Sequence, residues 1–388
     1  MMSWAIPDYR LPRAQLFAEI ENVRRAGVEI KCNAALGKDF SLDDLMTKQG
    51  FASVVLAIGA HRTRKLNITG EDKNGVIDGI DFLNRVAADA SMKALNMKPP
   101  GNLPDVKGKR VAVVGGGDVA IDVARVSLRM GAREVHVLYR RAGDDMPAAH
   151  LPEEIEAARD EGVRFHVLVN PTEVLGDANV TGLRLQQQRL ADFDDSARRK
   201  PTAIGSESYV LNVEVVIPAI GQVPDVRCLT PEANVKVGRG DVFAVGEALE
   251  TSRAGVFAAG DAVNGPATIV EAVAQGNLVA IAVDTWIRTG KVEKPQFITQ
   301  RVDVGQVVPL DDYAQARRPV NRKLHVRERD GTFREVELGL EEAQAMEEAR
   351  RCLRCDLEWL DLMEIERPGS LVGAGVGANG DKEGEEKP

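Results

Sequence analysis

RVAVVGGGDVAIDVARVSLRMGAREVHVLYRR, residues 110–141, reads as a complete dinucleotide-binding βαβ opening. An apolar strand, Val111 to Val114, runs into Gly115, Gly116 and Gly117, and the turn of type G-x-G-x-x-A closes on Ala120 as it opens a helix. Each position has a physical task. Gly115 permits the tight turn, Gly117 lets the backbone N–H groups around Gly116, Asp118 and Val119 approach a pyrophosphate, and the small Ala120 lets helix and strand pack closely. The helix is expected over Asp118 to Met130, stopped by Gly131, and a second strand over Val135 to Tyr139. That strand ends where an NAD-binding site places an acid against the ribose 2′-hydroxyl. Here Arg140 and Arg141 stand instead. A guanidinium pair binds a 2′-phosphate and an acid repels it, so the pattern selects NADP(H) over NAD(H). An exposed arginine pair on an unliganded fold of the same type is the competing reading.

Composition bounds what surrounds this unit. The chain has 388 residues and 44% hydrophobic content, enough for two or more domains with cores of their own. Its apolar runs are of strand length and its start, MMSWAIPDYRLPR, lacks the order of a signal peptide, which places the protein in the cytoplasm. A net charge of -9 argues against nonspecific nucleic-acid affinity. Four cysteines, Cys32, Cys228, Cys352 and Cys355, are too few and too scattered for a disulfide framework.

Outward from the glycine turn, the pattern predicts helices over 14–27 and 41–50, a short strand over Val28 to Lys31, and a continuous apolar strand from Ser53 to Ile58 buried on both faces. A helix near 81–95 and the linker KPPGNLPDVKGK precede the turn. Beyond it, a helix over 152–161 and a strand over 163–169 continue the doubly wound rhythm, and 180–190 and 208–218 read as antiparallel strands. An apolar strand ending in A-I-G occurs twice, at Ala57-Ile58-Gly59 and at Ala219-Ile220-Gly221, one copy on each side of the nucleotide motif. The echo suggests two related nucleotide-binding domains, one inserted in the other; an ordinary strand exit explains each copy equally well by itself.

The segment TSRAGVFAAGD favours the two-domain reading. Its strand ends at Gly260-Asp261, and a helix from Thr268 follows. An aspartate there can accept hydrogen bonds from the ribityl or ribose hydroxyls of a flavin nucleotide, and the helix N-terminus favours negative charge on a reduced flavin. Taken together, IPDYRLP, LAIGA, GGGDVAIDVAR, YRR, MPA, IPAIGQVP, GVFAAGD and EAVAQG make residues 1 to about 290 similar to the small (beta) subunit of NADPH-dependent glutamate synthase and its relatives. The resemblance implies an α/β chain with two Rossmann-like dinucleotide-binding domains, the NADP domain over 103–250 inserted in an FAD domain over 1–102 and 251–292. It implies that Gly260, Asp261 and Thr268 contact FAD, that Ala57, Gly59 and Gly221 line the crossing between domains, and that Gly115 to Ala120, Arg140 and Arg141 hold NADPH.

The family carries cluster-binding cysteines and a first FAD strand with its own G-x-G-x-x-G upstream of IPDYRLP. This chain shows neither, which implies an incomplete FAD domain: a downstream-placed start, a strand supplied by another polypeptide, or weak flavin binding. Residues 293–388 form an extension with a helical segment around Cys352-Leu-Arg-Cys355 and a Gly-rich tail expected to be disordered. The cysteine pair is either half of an iron-sulfur site completed by a partner or two thiols on a helix, and with no second pair in the chain the thiol reading leads. The implied activity is NADPH-dependent flavin reduction with transfer to an iron-sulfur or ferredoxin-type partner. Its alternative is an NADPH-binding or docking subunit without flavin. Hydride transfer needs positioning more than proton transfer, so no histidine is assigned as a catalyst.

Overall fold

A computed structural model describes residues 2–94, 98, 101–193, 199–294 and 317–350. The chain separates into two units, one comprising Met1–Gln296 with Arg322–Leu338 and the other Phe297–Asn321 with Gly339–Pro388. The described residues of the second unit include the helix Glu342–Ala349.

The centre of the first unit is a parallel sheet of four strands, β3 (Arg110–Val114), β4 (Glu134–Tyr139), β5 (Arg164–Val167) and β9 (Val215–Pro218), in the order β5-β4-β3-β9. Strands covered on both faces read as unbroken apolar runs, and Val111 to Val114 and Val215 to Ile217 are buried throughout. One face packs on helices α2 (Gly79–Ala94), α3 (Asp118–Arg129) and α4 (Pro152–Asp160) through Val111, Val113, Ile121 and Ile155. The other, through Ala112, Val114 and Val216, meets an antiparallel sheet of β6 (Val169–Leu175), β7 (Gly182–Phe193) and β8 (Arg199–Leu211). The expected strand 208–218 therefore divides. Its first half, exposed from Ser208 to Val210, stays in the antiparallel sheet, whereas its buried apolar end joins the parallel one. The strand expected over 163–169 divides too, where Leu168 takes a positive φ of 56° between β5 and β6.

A second, smaller parallel sheet pairs β1 (Val54–Leu56) with β11 (Val256–Ala258), followed by a short helix α5 (Asp261–Asn264) and the long α6 (Ile269–Thr289). The burial on both faces expected of 53–58 is not found, since Val55 in β1 is 39% exposed, whereas its partner β11 is buried along its length. Val28 to Lys31 form no strand; the segment is exposed and pairs with nothing among the described residues. Helix α6 likewise leaves Val270, Val273, Ile281 and Ile287 open to solvent. Helix α1 (Arg13–Arg25) follows the N-terminal segment and ends two residues before Gly27.

The A-I-G echo acquires a structural meaning. Each copy is the exit from one of the two parallel sheets, with Ala259 N–H bonded to the Leu56 carbonyl in one and Ala219 N–H to Val114 in the other. Both exits turn through a glycine of positive φ, Gly59 and Gly221. Beyond them β2 (Arg62–Thr63) and β10 (Gln222–Val223) pair antiparallel, joining the two sheets side by side.

Candidate functional site

The glycine turn is built by packing as much as by backbone freedom. Gly115 has φ 148°, and a β-carbon there would lie 2.2 Å from the Ala219 carbonyl oxygen. On Gly116 it would meet the Tyr139 ring at 2.6 Å. At Gly117 the only atom within 4 Å would be Pro147 Cβ at 3.9 Å, so the third glycine leaves open space in front of the helix. Gly117 is also the N-cap of α3 in extended conformation, with no side-chain cap. The first N–H groups of a helix lack intrahelical partners, and here they face that space. A cradle that a β-carbon would fill, at a positive helix end, fits a pyrophosphate. Ala120 lies behind the turn, fully buried. Asp118, in the first turn, balances the helix dipole from its side chain and approaches His150 at 3.9 Å.

The turn opens on a cleft of about 2100 Å³. A site for one drug-sized ligand measures roughly 300–1,000 Å³, so this one has room for dinucleotides. Gly115, Gly116, Gly117, Asp118, Val119, Arg140 and Arg141 border it from one side. Ala57, Gly59, Gly221, Asp261 and Thr268 border it from the second sheet and the crossing. Only Ala120 and Gly260 among the expected residues of the described chain stand back from it. The arginines differ from a simple exposed fork. Arg140 is exposed, whereas Arg141 is buried and its carbonyl accepts the Leu168 N–H at 3.0 Å.

On the second side, the Gly260 N–H donates to Gln275 Oε1 at 2.6 Å, and Asp261 Oδ1 accepts the Ala267 N–H at 3.2 Å. Burial raises the Asp261 carboxyl above its ordinary pKa. Thr268 caps α6 in a reciprocal box with Glu271, each side chain accepting the other's backbone N–H. That cap places a carboxylate at the helix end expected to favour an anion, leaving the N–H groups of the first turn as the positive element there.

Sequence reasoning missed the wall beside α3. There the N-terminal segment is pinned by Tyr9, buried beneath the Arg125 and Arg129 guanidiniums at 4.7 and 4.1 Å, with its hydroxyl donating to Asp122 Oδ1 at 3.2 Å. Arg10 reaches the same carboxylate. Behind them Glu161 accepts from Arg125, Arg129 and Arg329. Burial pushes Asp122 up to about 6 against the pull of Arg10. Burial would also raise Glu161, but hydrogen bonds from Arg129 and Arg125 overcome it and hold the carboxyl at about 2. The IPDYRLP segment, which carries part of the family resemblance, contains Tyr9 and Arg10. Nothing local marks their partners, which lie more than a hundred residues away.

Cys352 and Cys355 lie outside the described residues. Among those described, no group of three or more His, Cys, Asp or Glu is placed to hold a metal. None of the described helices is long and apolar enough to cross a membrane. His61 and His150 border the cleft.

Comparison with known proteins follows the same lines. The family model described as pyridine nucleotide-disulphide oxidoreductase matches residues 15–276. The chain is 39% identical over 365 residues to the NADP(+)-dependent formate dehydrogenase subunit beta of Moorella thermoacetica, covering 92% of this chain and 49% of that protein. It is 37% identical over 391 residues to the NADPH-Fe(3+) oxidoreductase subunit beta of Geobacter sulfurreducens, covering 92% and 55%. The glutamate synthase (NADPH) small chain of Escherichia coli is 29% identical over 293 residues, covering 74% of this chain and 61% of that one. The chain thus spans about half the length of the first two curated relatives. Mycobacterium tuberculosis FprA in complex with NADPH superposes with a TM-score of 0.56 at 18% identity, covering 76% of this chain and 77% of that one, a likeness of fold.

Proposed function

Since the chain belongs to the pyridine nucleotide-disulphide oxidoreductase family, we propose that it is the NADPH-oxidising flavoprotein subunit of a cytoplasmic electron-transfer enzyme, delivering electrons to an iron-sulfur or ferredoxin-type partner. One shared cleft carries this reading, because the glycine turn and Arg140 open onto it from one sheet and Asp261 and Thr268 from the other. In this reading the sheet of β3, β4, β5 and β9, with the helices packed on it, holds NADPH, and the sheet of β1 and β11 with α6 holds FAD. The open N–H groups at Gly117 to Val119 bind the pyrophosphate and Arg140 with Arg141 the 2′-phosphate. Asp261 accepts from ribityl or ribose hydroxyls, with Gly260 and Thr268 shaping its approach. Backbone at Ala57, Gly59 and Gly221 lines the passage where the nicotinamide reaches the second site. FAD, when bound, supplies an acceptor for the nicotinamide hydride and a donor of single electrons. No side chain is required to carry a proton; the protein's contribution is alignment.

A second reading, an NADPH-binding or docking subunit without flavin, is favoured by one observation. Among the described residues the second parallel sheet has two strands, and apolar residues of α6, which packs on it, lie open to solvent. Colour separates the two. Purified protein whose flavin absorbance bleaches on adding NADPH supports the enzyme, and a colourless preparation that still binds NADPH supports the docking subunit. For cofactor choice, Arg140→Glu with Arg141→Ala is expected to weaken NADPH on the order of 100-fold while NADH changes only a few-fold, the scale of two charge-assisted hydrogen bonds. Equal losses for both nucleotides, read by fluorescence titration, would remove the 2′-phosphate role.

A further inference from the structure

The nucleotide reading uses the glycine turn and the end of β4, and leaves one charged feature of the same cleft without a task. One turn into α3, the buried Asp122 borders the cleft together with Arg10. Arg10 Nη1 donates to both oxygens of Asp122, each at 3.0 Å, and Arg10 Nε lies 3.7 Å from Glu154 Oε1. An arginine that merely braces a carboxylate ordinarily offers two nitrogens in a fork, one to each oxygen. Here a single nitrogen takes both. The two N–H groups of Nη2 make no hydrogen bond among the described residues, and the side chain is 25% exposed.

The wider cluster supports an anion at this place. Arg10, Arg125, Arg129 and Arg329 face Asp122, Glu154 and Glu161, so with every group ionised one positive charge is left over. Arg125 and Arg129 are buried behind Tyr9, and Arg329 is tied to Glu161, which makes Arg10 the member that meets the cleft. It does so beside the helix end where the N–H groups of Gly117 to Val119 lie open.

We propose that Arg10 is an anion contact of the cleft, donating Nη2 to a pyrophosphate oxygen of the dinucleotide that lies on the N-terminus of α3, and that Asp122 is the positioning residue that aims it. The proposal rests on the nucleotide reading given above. Asp122 is faced by Tyr9 and Arg10 from the N-terminal segment, Arg125 from α3 and Glu154 from α4, and loss of its charge frees Arg10 from its two-oxygen hold.

Calorimetric titration of NADP⁺ and of adenosine 2′-monophosphate, which has no pyrophosphate, into the full chain tests this. Arg10→Met is expected to weaken NADP⁺ about 10- to 100-fold, one charge-assisted hydrogen bond, and to leave adenosine 2′-monophosphate unchanged. Arg10→Lys recovers part of the loss and guards against a folding defect, checked by melting temperature. Asp122→Asn is expected to weaken NADP⁺ several-fold at a pH of about 7.5, and to match the unsubstituted protein at about 5, where Asp122, pushed up to about 6, has taken a proton. Titration of the nucleotide's own phosphate cancels in that ratio. Unaltered NADP⁺ affinity in Arg10→Met, or equal losses for both ligands, overturns the inference alone. Failure of the unsubstituted protein to bind NADP⁺ overturns the nucleotide reading and takes this inference with it.

Discussion

Glu161→Gln is expected to lower the free energy of unfolding by roughly 3 kcal/mol at neutral pH. The side chain is 5% exposed and accepts hydrogen bonds from Arg125 at 2.8 Å, Arg129 at 2.6 Å and Arg329 at 3.2 Å. An amide cannot neutralise them. Removing one member of a buried ion pair leaves uncompensated charge and costs about 3–5 kcal/mol. The linkage figure agrees: a carboxyl held at about 2 against an ordinary 4.5 contributes roughly 3 kcal/mol once ionised. Because the folded pKa is depressed, this stability is present above pH 4.5 and is lost as pH falls through about 2. Asp122 works with the opposite sign. Its folded pKa, raised from 3.8 to about 6, makes ionisation costly to the fold, so its contribution declines as pH rises between those values. Urea unfolding of the unsubstituted protein and Glu161→Gln should therefore diverge at neutral pH and converge near pH 2–3. Coincident midpoints at neutral pH would mean that the three guanidiniums find other partners.

Gly115→Val is expected to abolish measurable nucleotide binding and to destabilise the fold by several kcal/mol. Its β-carbon would have to occupy space 2.2 Å from the Ala219 carbonyl oxygen, which belongs to the chain following the neighbouring strand β9 and cannot swing away as a side chain can. A β-branched residue at φ 148° adds backbone strain. Gly117→Ala supplies the contrast. Its φ of −94° suits any residue and its surroundings are empty to 3.9 Å, so folding should be unaffected while NADP⁺ affinity drops. Melting temperature and calorimetric titration read the two effects separately. Should Gly117→Ala bind as tightly as the unsubstituted protein, the pyrophosphate does not lie over that residue.

These contrasts also show where sequence reasoning reaches and where it stops. The strand, turn and helix around Gly115 were legible because each depends on neighbours within a few residues: apolar runs, a small residue at 120, a stop at Gly131. The A-I-G copies were legible as a repeat, but their meaning, two sheet exits lying side by side, needed the pairing of residues 62–63 with 222–223. Val28 to Lys31 have a strand's composition without a strand's structure, since a strand exists only with a partner to receive its hydrogen bonds. Segment 208–218 looked uniform, yet its two halves answer to different sheets, and only tertiary burial distinguishes them. The charge cluster was invisible for a related reason. Tyr9, Asp122, Glu161 and Arg329 come from distant parts of the chain, and buried pairing across such distances leaves no periodicity to read.

The antiparallel ribbon of β2 and β10 has a topological consequence. Arg64 N–H donates to the Gly221 carbonyl at 3.0 Å, so the chain leaves the smaller sheet and returns to it at one point. Everything between those residues is a loop closed at its base, and the entropy of closing a loop grows only logarithmically with its length. Lengthening the chain inside it, as in the long β7–β8 arm, therefore adds little to the cost of closing the neck. A segment whose ends already touch is one that evolution can handle as a cassette.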